Sequence, residues 1–234
     1  MLFGADLCVL GGTGHPSCWK ALKSAWLQLT RQEQEWVAEA STRAMLDRDL
    51  ITEPAPGRGV AALVAPACCK MSTRLRVLLG ARQSPAFMIA THHELRTPAV
   101  TYFQPWGTSA IVQEIPERMA DADQEPARSP LDVMFSYRLS TQAFTARELA
   151  RWALKPVPVA RYQPKPPRLI SFFGRTESGR ANSYQLTILS NGKKAHIDGP
   201  DISADLDREQ LTHFMTDVVA KWADTHRSML PKPV

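Results

Sequence analysis

The order of hydrophobic and polar residues predicts two groups of antiparallel β-strands. In the first group, apolar and β-branched residues recur at strand spacing, and turns that contain proline or glycine separate the runs. These strands are predicted over residues 74–79, 86–91, 99–103 and 109–115. A further run at 131–139 alternates apolar with polar residues, which is typical of a half-buried strand.

The second group of strands follows a proline-rich stretch. Strands are predicted over residues 168–174, 183–190 and 193–198. The dipeptide Asn191-Gly192 predicts a two-residue type I′ hairpin between the last two, because both residues tolerate positive φ.

Helices are expected beside both groups of strands. Three segments have the pattern of a capping box. In this motif the side chain of the N-cap residue accepts from the third helical amide, and a Glu or Gln at that third position accepts from the amide of the N-cap residue. The three segments are Thr30-x-x-Glu33, Thr145-x-x-Glu148 and Asp207-x-x-Gln210. The helices after them place Trp36, Trp152 and Trp222 on apolar faces, so these three rings are expected in the core. Residues 1–20 are predicted to be a flexible tail or loop.

This order of elements favours an α+β fold of two related halves, in which antiparallel meanders pack against helices. The predicted organisation is an N-terminal segment at 1–29, a first half at 30–154, a connector at 155–167 and a second half at 168–234. The connector is rich in proline and is expected to be a stiff spacer. The whole chain is expected to form one compact domain.

Composition narrows the class of protein. The chain has 234 residues, of which 44% are hydrophobic, so it can bury a sizeable core. No apolar run approaches the length of a membrane-spanning helix, and no membrane insertion is expected. Asp6 and the lack of an N-terminal cationic region argue against a signal peptide. Four cysteines do not make a disulfide scaffold, so a cytoplasmic location is expected.

Positive charge is concentrated in one region. Residues 151–194 contain nine Lys or Arg and one acid, Glu177, which gives 9 − 1 = +8, against +5 for the whole chain. Solvated surface and linker charge is the simplest interpretation. The alternative is an anionic partner such as nucleic acid.

The sequence predicts no catalytic residue, no metal site and no cofactor. His92-His93-Glu94 is the densest group of potential ligands, but adjacent side chains on a strand point to opposite faces and cannot easily share one ion. In a turn they could, and a zinc site would then need further ligands from elsewhere, such as Cys68, Cys69 or His196. The glycines near residue 12 are followed by Pro16 and Ser17, where a dinucleotide-binding turn would need its third glycine. Trp106 lies in a Pro-Trp-Gly turn, where an aromatic ring can either anchor a partner or pack back onto its own sheet.

The order of elements resembles the EspG family, the cytosolic chaperones of type VII secretion in actinobacteria. The resemblance covers about residues 29–223 and has no invariant signature. In the first half it is carried by Leu29-Thr30-x-x-Glu33 with its helix and by the strands at 75–79, 87–90 and 100–103. In the second half it is carried by residues 169–174, 184–189 and 194–199 and by the helix from Asp207.

The resemblance implies a non-enzymatic chaperone or adaptor in the cytoplasm. Such a protein binds a helical heterodimer as its client, covers an apolar tip and keeps the client soluble for secretion. The hairpin at residues 91–98 is then a candidate contact region. With the turn tryptophan, the candidate partner-binding residues are His92, His93, Glu94, Leu95, Arg96 and Trp106.

Two other functions stay open from the sequence. A winged-helix nucleic-acid-binding protein also begins with a helix, a short segment and strands. Its recognition helix needs several basic or amide side chains, however, and residues 61–71 offer only Lys70. The second alternative is an enzyme with an unrecognised site, which only the content of histidine and cysteine supports.

Overall fold

The structure is a computed structural model, and its described residues fall into two compact units. Unit 1 comprises Met1–Ser84 and Ile115–Tyr137, and unit 2 comprises Pro85–Glu114 and Arg138–Val234. The described residues are 1–10, 20–52, 70–83, 85–92, 98–105, 108–117, 129–155, 167–175 and 181–227. The fold is α+β with antiparallel strands, as the sequence predicts.

The helices and strands are numbered in chain order. The helices are α1 Gly4–Val9, α2 Lys20–Gln28, α3 Arg31–Asp47, α4 Thr73–Gln83, α5 Gln142–Leu154 and α6 Arg208–Arg227, with a short 3₁₀ helix at Pro130–Asp132. The strands are β1 Leu2–Phe3, β2 Ile51–Thr52, β3 Lys70–Met71, β4 Phe87–His92, β5 Pro98–Gln104, β6 Ile111–Glu117, β7 Met134–Ser140, β8 Arg168–Arg175, β9 Ala181–Ser190, β10 Ala195–Gly199 and β11 Ile202–Leu206.

Unit 1 is built on buried apolar residues from its helices and from β7. Leu7, Leu22, Met45 and Phe135 lie in one cluster and are almost fully buried. At Gly4, a Cβ atom would lie 2.4 Å from the carbonyl oxygen of Pro130, so only glycine allows this close approach of backbone segments. The prediction of a flexible tail over residues 1–20 is therefore wrong for the described residues 1–10.

Helix α3 begins where the sequence predicts, but it buries a different face. Thr30 accepts from the amide of Glu33 at 3.3 Å, and Glu33 accepts from the amide of Thr30 at 2.7 Å. The buried residues are Ala38, Ser41, Thr42 and Met45, at helical spacing. Trp36 lies outside this stripe and is 60% exposed, so its expected place in the core is wrong.

The predicted strand at residues 74–79 is helix α4 in the structure. Leu75 and Leu79 are both buried and lie four residues apart, as on one face of a helix. Val77, which alternation would place beside them, is 50% exposed. Residues 74–79 fit both periods, because Leu75 and Leu79 alternate with Val77 as in a strand and combine with Leu78 at helical spacing. The helical period is correct here.

Unit 2 contains an antiparallel sheet with two helices on one face. Its strand order is β6-β5-β4-β8-β9-β10-β11, and every neighbouring pair is antiparallel. Helices α5 and α6 pack against alternate residues of the strands, among them Ile89, Phe172 and Ile188. Trp222 from α6 stacks on Phe172 at a ring-centroid distance of 5.7 Å, which confirms that this tryptophan is in the core.

The loop between β9 and β10 has four residues, so the predicted two-residue turn is wrong. Residues 191–194 connect the strands, and of these only Gly192 has a positive φ, at 90°. The Asn191 side chain accepts from the amides of Lys193 at 2.9 Å and Lys194 at 2.8 Å. An asparagine that bonds its own backbone in this way forms a turn without adopting positive φ.

Helix α5 starts four residues earlier than predicted. Thr141 is the N-cap, and its Oγ1 accepts from the amide of Phe144 at 3.2 Å. Thr145, the predicted cap, is buried inside the helix, where its hydroxyl lies 3.1 Å from that of Ser140. At α6, the predicted cap is confirmed, because Asp207 accepts from the amide of Gln210 at 3.0 Å and Gln210 reaches back.

One cation of the basic region is structural. Arg168 is 2% exposed, and its guanidinium donates to the carbonyl oxygens of Trp152 and Ala153 at the end of α5. It also lies 5.3 Å from the ring centroid of Trp152. The positive guanidinium thus supplies donors at the helix C-terminus, where the Trp152 carbonyl also accepts from the amide of Lys155. The interpretation of this region as solvated charge is therefore wrong for Arg168, and burial lowers its pKa.

Candidate functional site

A groove of about 880 Å³ lies on unit 2, at the start of helix α5. Residues 108–110 and 138–144 line it together with Arg147. The end of strand β7 and the first turn of α5 therefore form one wall, and the loop before β6 forms the other. This volume falls within the range of pockets that bind small molecules or the side chains of a partner.

Hydrogen bonds fix the loop of the groove to the helix. Gln104 is buried, and its Nε2 donates to the carbonyl oxygen of Thr108 at 3.0 Å. Gln142 in the first turn of α5 donates to Gln104 Oε1 at 3.4 Å. Thr108 Oγ1 also accepts from the amide of Ala110 at 2.9 Å. The two walls are thus tied together through one buried side chain, which gives the groove a defined shape.

Arg138 is held in place in the groove by three contacts. Its Nε donates to Gln113 Oε1, and its guanidinium carbon lies 5.3 Å from the ring centroid of Phe144. A terminal nitrogen lies 3.6 Å from a carboxylate oxygen of Glu148. The side chain nevertheless remains 48% exposed. A cation that is oriented in advance and still accessible loses little conformational entropy when a partner binds it.

The network continues from Arg138 into the core. Gln113 is buried and donates to the hydroxyl of Tyr102 at 3.4 Å. Burial raises the pKa of Tyr102, and the nearby charge of Glu148 raises it further. The phenol therefore stays protonated and neutral across the physiological range, and Gln113 has a fixed partner on each side.

The exposed surface of the groove combines apolar area with positive charge. Leu139 is 73% exposed and Phe144 is 37% exposed, although both are large hydrophobic residues. Arg138 and Arg147 lie among the lining residues, and none of the described residues that line the groove is acidic. An apolar surface with fixed cations at its side is suited to an amphipathic partner that carries negative charge.

Of the predicted contact residues, only His92 lies within the described residues. It ends β4 at a register shift, opposite Leu169 of β8, and it does not line the groove. His93, Glu94, Leu95, Arg96 and Trp106 lie outside the described residues. Trp106 precedes Thr108, which lines the groove, by two positions in the chain.

His92 is partly buried, and this predicts an effect of pH on stability. Its Nδ1 is buried and has no hydrogen-bond partner within the described part of the chain, and burial lowers its pKa. Between the two pKa values the unfolded state binds more protons than the folded state. The free energy of unfolding should therefore fall as the pH drops below 6.5, the ordinary pKa of histidine. Urea denaturation at about pH 7.5 and about pH 5.5 measures this.

The His92→Gln variant is expected to lose part of that pH dependence. His213→Gln is the matched control, because the His213 side chain is 81% exposed, and it should keep the pH dependence of the wild type. Equal pH dependence in the wild type and in His92→Gln would contradict the prediction.

The sequence patterns did not identify the groove residues. The alternation over 131–139 predicts that Leu139 lies on the buried face of the strand. The predicted helix start at Thr145 leaves Phe144 outside the helix, in the segment that connects it to the strand. The available signal was Thr141, a second possible N-cap three residues before an aromatic residue. A cap at that position puts Phe144 in the first helical turn, next to the end of the preceding strand.

Two structural findings and the comparisons with known proteins bear on the class of protein. Within the described residues, no group of three or more His, Cys, Asp or Glu is arranged to hold a metal ion. No helix in the same part of the chain is both long and apolar enough to cross a membrane. Comparisons of the chain with protein-family models, with curated proteins and with solved structures find no match. The function is therefore inferred from the groove and the sequence.

Proposed function

We propose that this protein is a non-enzymatic adaptor or chaperone that binds a helical segment of a client protein in the groove of unit 2. The observation that carries the proposal is the exposure of Leu139 and Phe144 beside the positioned cation Arg138. An amphipathic helix that lays its apolar face into a groove is a common mode of peptide recognition.

The physical role follows from the apolar area at the groove. A client helix with an unpaired apolar face tends to aggregate, and covering that face keeps the client soluble. Burial of Leu139 and Phe144 would supply free energy for binding, at about 25 cal/mol for each Å² of apolar surface removed from water. The cytoplasmic location and the link to type VII secretion are part of the proposal, and the resemblance to the EspG family supports them.

Replacement of both apolar groove residues should abolish client binding. The full chain is expressed with an affinity tag in the organism that encodes it, as wild type and as Leu139→Ser/Phe144→Ser. We expect a helical protein to co-purify in stoichiometric amount with the wild type and to be absent from the variant, because the variant removes the apolar contact.

The matched control is Phe173→Ser/Leu189→Ser. These two residues are also large, apolar and exposed, at 39% and 46%, but they do not line the groove. The control should retain the client. Purification of the wild type alone, or equal retention of the client by the groove variant, would refute the proposal.

A further inference from the structure

Resting on the proposed function, we infer that the groove selects an acidic client helix, with Asp or Glu beside the apolar residues that contact Leu139 and Phe144. The chemistry assigned to the partner is thus a carboxylate-bearing amphipathic segment. It follows from the charge of the groove and from the contacts that Arg138 makes around it.

The charged residues among the described residues that line the groove are both positive, and they lie on the wall that β7 and α5 form. Arg138 comes from the end of β7, and Arg147 comes from the second turn of α5. The first turn of α5 carries no acidic side chain, so the partial positive charge of the helix N-terminus adds to the field of the two arginines. Carboxylates on a partner would meet complementary charge along the wall of the groove.

Glu148 allows Arg138 to exchange its partner at low cost. One carboxylate oxygen of Glu148 lies 3.6 Å from Arg138, and the other oxygen is paired with Arg151. When a client carboxylate takes the guanidinium of Arg138, Glu148 keeps its bond to Arg151 and is not left unpaired. Gln113 and the Phe144 ring hold Arg138 in the same orientation throughout. The exchange therefore replaces a long ion pair with a new one.

The same groove is poorly suited to a nucleic acid. Nucleic-acid affinity depends on several phosphate contacts from Lys and Arg, and the described lining offers two arginines. Leu139, which is 73% exposed, has no polar atom for a base or a phosphate. A partner with both apolar and carboxylate side chains can contact Leu139 and Phe144 and also pair with the two arginines.

The inference is tested by selection from a phage-displayed library of random peptides of about 16 residues against the immobilised full chain, with the Leu139→Ser/Phe144→Ser variant as counter-selection. We expect enriched peptides in which apolar residues recur at helical spacing and Asp or Glu occurs beside them. Enriched peptides without an acidic bias would overturn this inference and leave the proposed function standing. If no peptide is enriched, both are overturned.

Affinity measurements on one enriched peptide then locate the charge contacts. Fluorescence anisotropy should show binding about fivefold weaker for Arg138→Gln and for Arg147→Gln, with a smaller loss of affinity on added salt than in the wild type. Arg147 is exposed, so its variant keeps the fold even if Arg138→Gln alters it. Arg208→Gln, an exposed arginine at the start of α6, is the control and should bind as the wild type does.

Two results would overturn the assignment. One is a peptide affinity that is unchanged in both Arg138→Gln and Arg147→Gln. The other is displacement of the bound peptide by a single-stranded oligonucleotide of about 20 nucleotides at physiological salt, which would assign the cations to a nucleic acid.

Discussion

Asp6→Ala is expected to lower the free energy of unfolding by about 3 kcal/mol, because it removes a buried charge from a fully bonded position. Asp6 is 1% exposed. Its carboxylate accepts from the amide of Phe3 at 2.9 Å, from the Ser41 hydroxyl at 2.7 Å and from Arg48 at 2.9 Å. The substitution leaves these donors without their acceptor. Arg48 keeps its bonds to two carbonyl oxygens, which limits the loss.

Urea denaturation of the full chain measures this effect. Asp47→Ala is the control, since Asp47 is an exposed carboxylate at the end of the same helix that carries Ser41. It should leave the transition unchanged. A loss below about 1 kcal/mol in Asp6→Ala would show that the network of unit 1 is not needed for stability.

Phe172→Ala is expected to cost about 4 kcal/mol, because it opens a cavity between the sheet and α6 in unit 2. Phe172 is fully buried. Its ring stacks on Trp222 at a centroid distance of 5.7 Å and makes a T-shaped contact with Tyr184 at 6.0 Å. Removal of the ring takes away its own burial and one partner of each contact, and the surrounding strands and helices relax only in part.

The neighbouring residue provides a matched control for this prediction. Phe173 follows in the same strand, points to the opposite face of the sheet and is 39% exposed. Phe173→Ala should therefore cost less than about 1 kcal/mol in the same denaturation experiment. Equal losses from the two substitutions would contradict the placement of α5 and α6 on the face that Phe172 occupies.

Much of the fold was predictable because some segments carry two agreeing signals. Strands β4, β5, β8 and β9 combine β-branched or aromatic residues with flanking turns, and α6 combines a capping box with a continuous apolar face. Strand β11 was missed. It begins at Ile202, and Pro200 and Asp201 form the turn that joins it to β10, its antiparallel partner.

Segments with a single short signal were predicted wrongly. At α4, six residues fit a strand as well as a helix, and the exposure of Val77 between the buried Leu75 and Leu79 distinguishes the two. At α5, two threonines four residues apart could both cap, and the earlier one does because its hydroxyl reaches the amide of Phe144. Local sequence cannot decide these cases, since the choice depends on which face meets the rest of the unit.

The candidate site was not predictable from any single pattern. The groove combines a loop, a strand end and a helix start that come together only in the folded unit. Exposure is the property that identifies Leu139 and Phe144, and alternation along β7 predicts the opposite for Leu139. The position of Arg138 depends on Gln113, which is 25 positions away in the sequence.

Site-specific photo-crosslinking from position 139 tests the central claim most directly. A photoreactive amino acid replaces Leu139 in one version of the full chain and Leu189 in another, and both are irradiated in the cells that encode the protein. The account predicts a covalent adduct from position 139 alone, mapped to an amphipathic helical segment of one protein. An adduct that forms from position 189 and not from position 139 would contradict it.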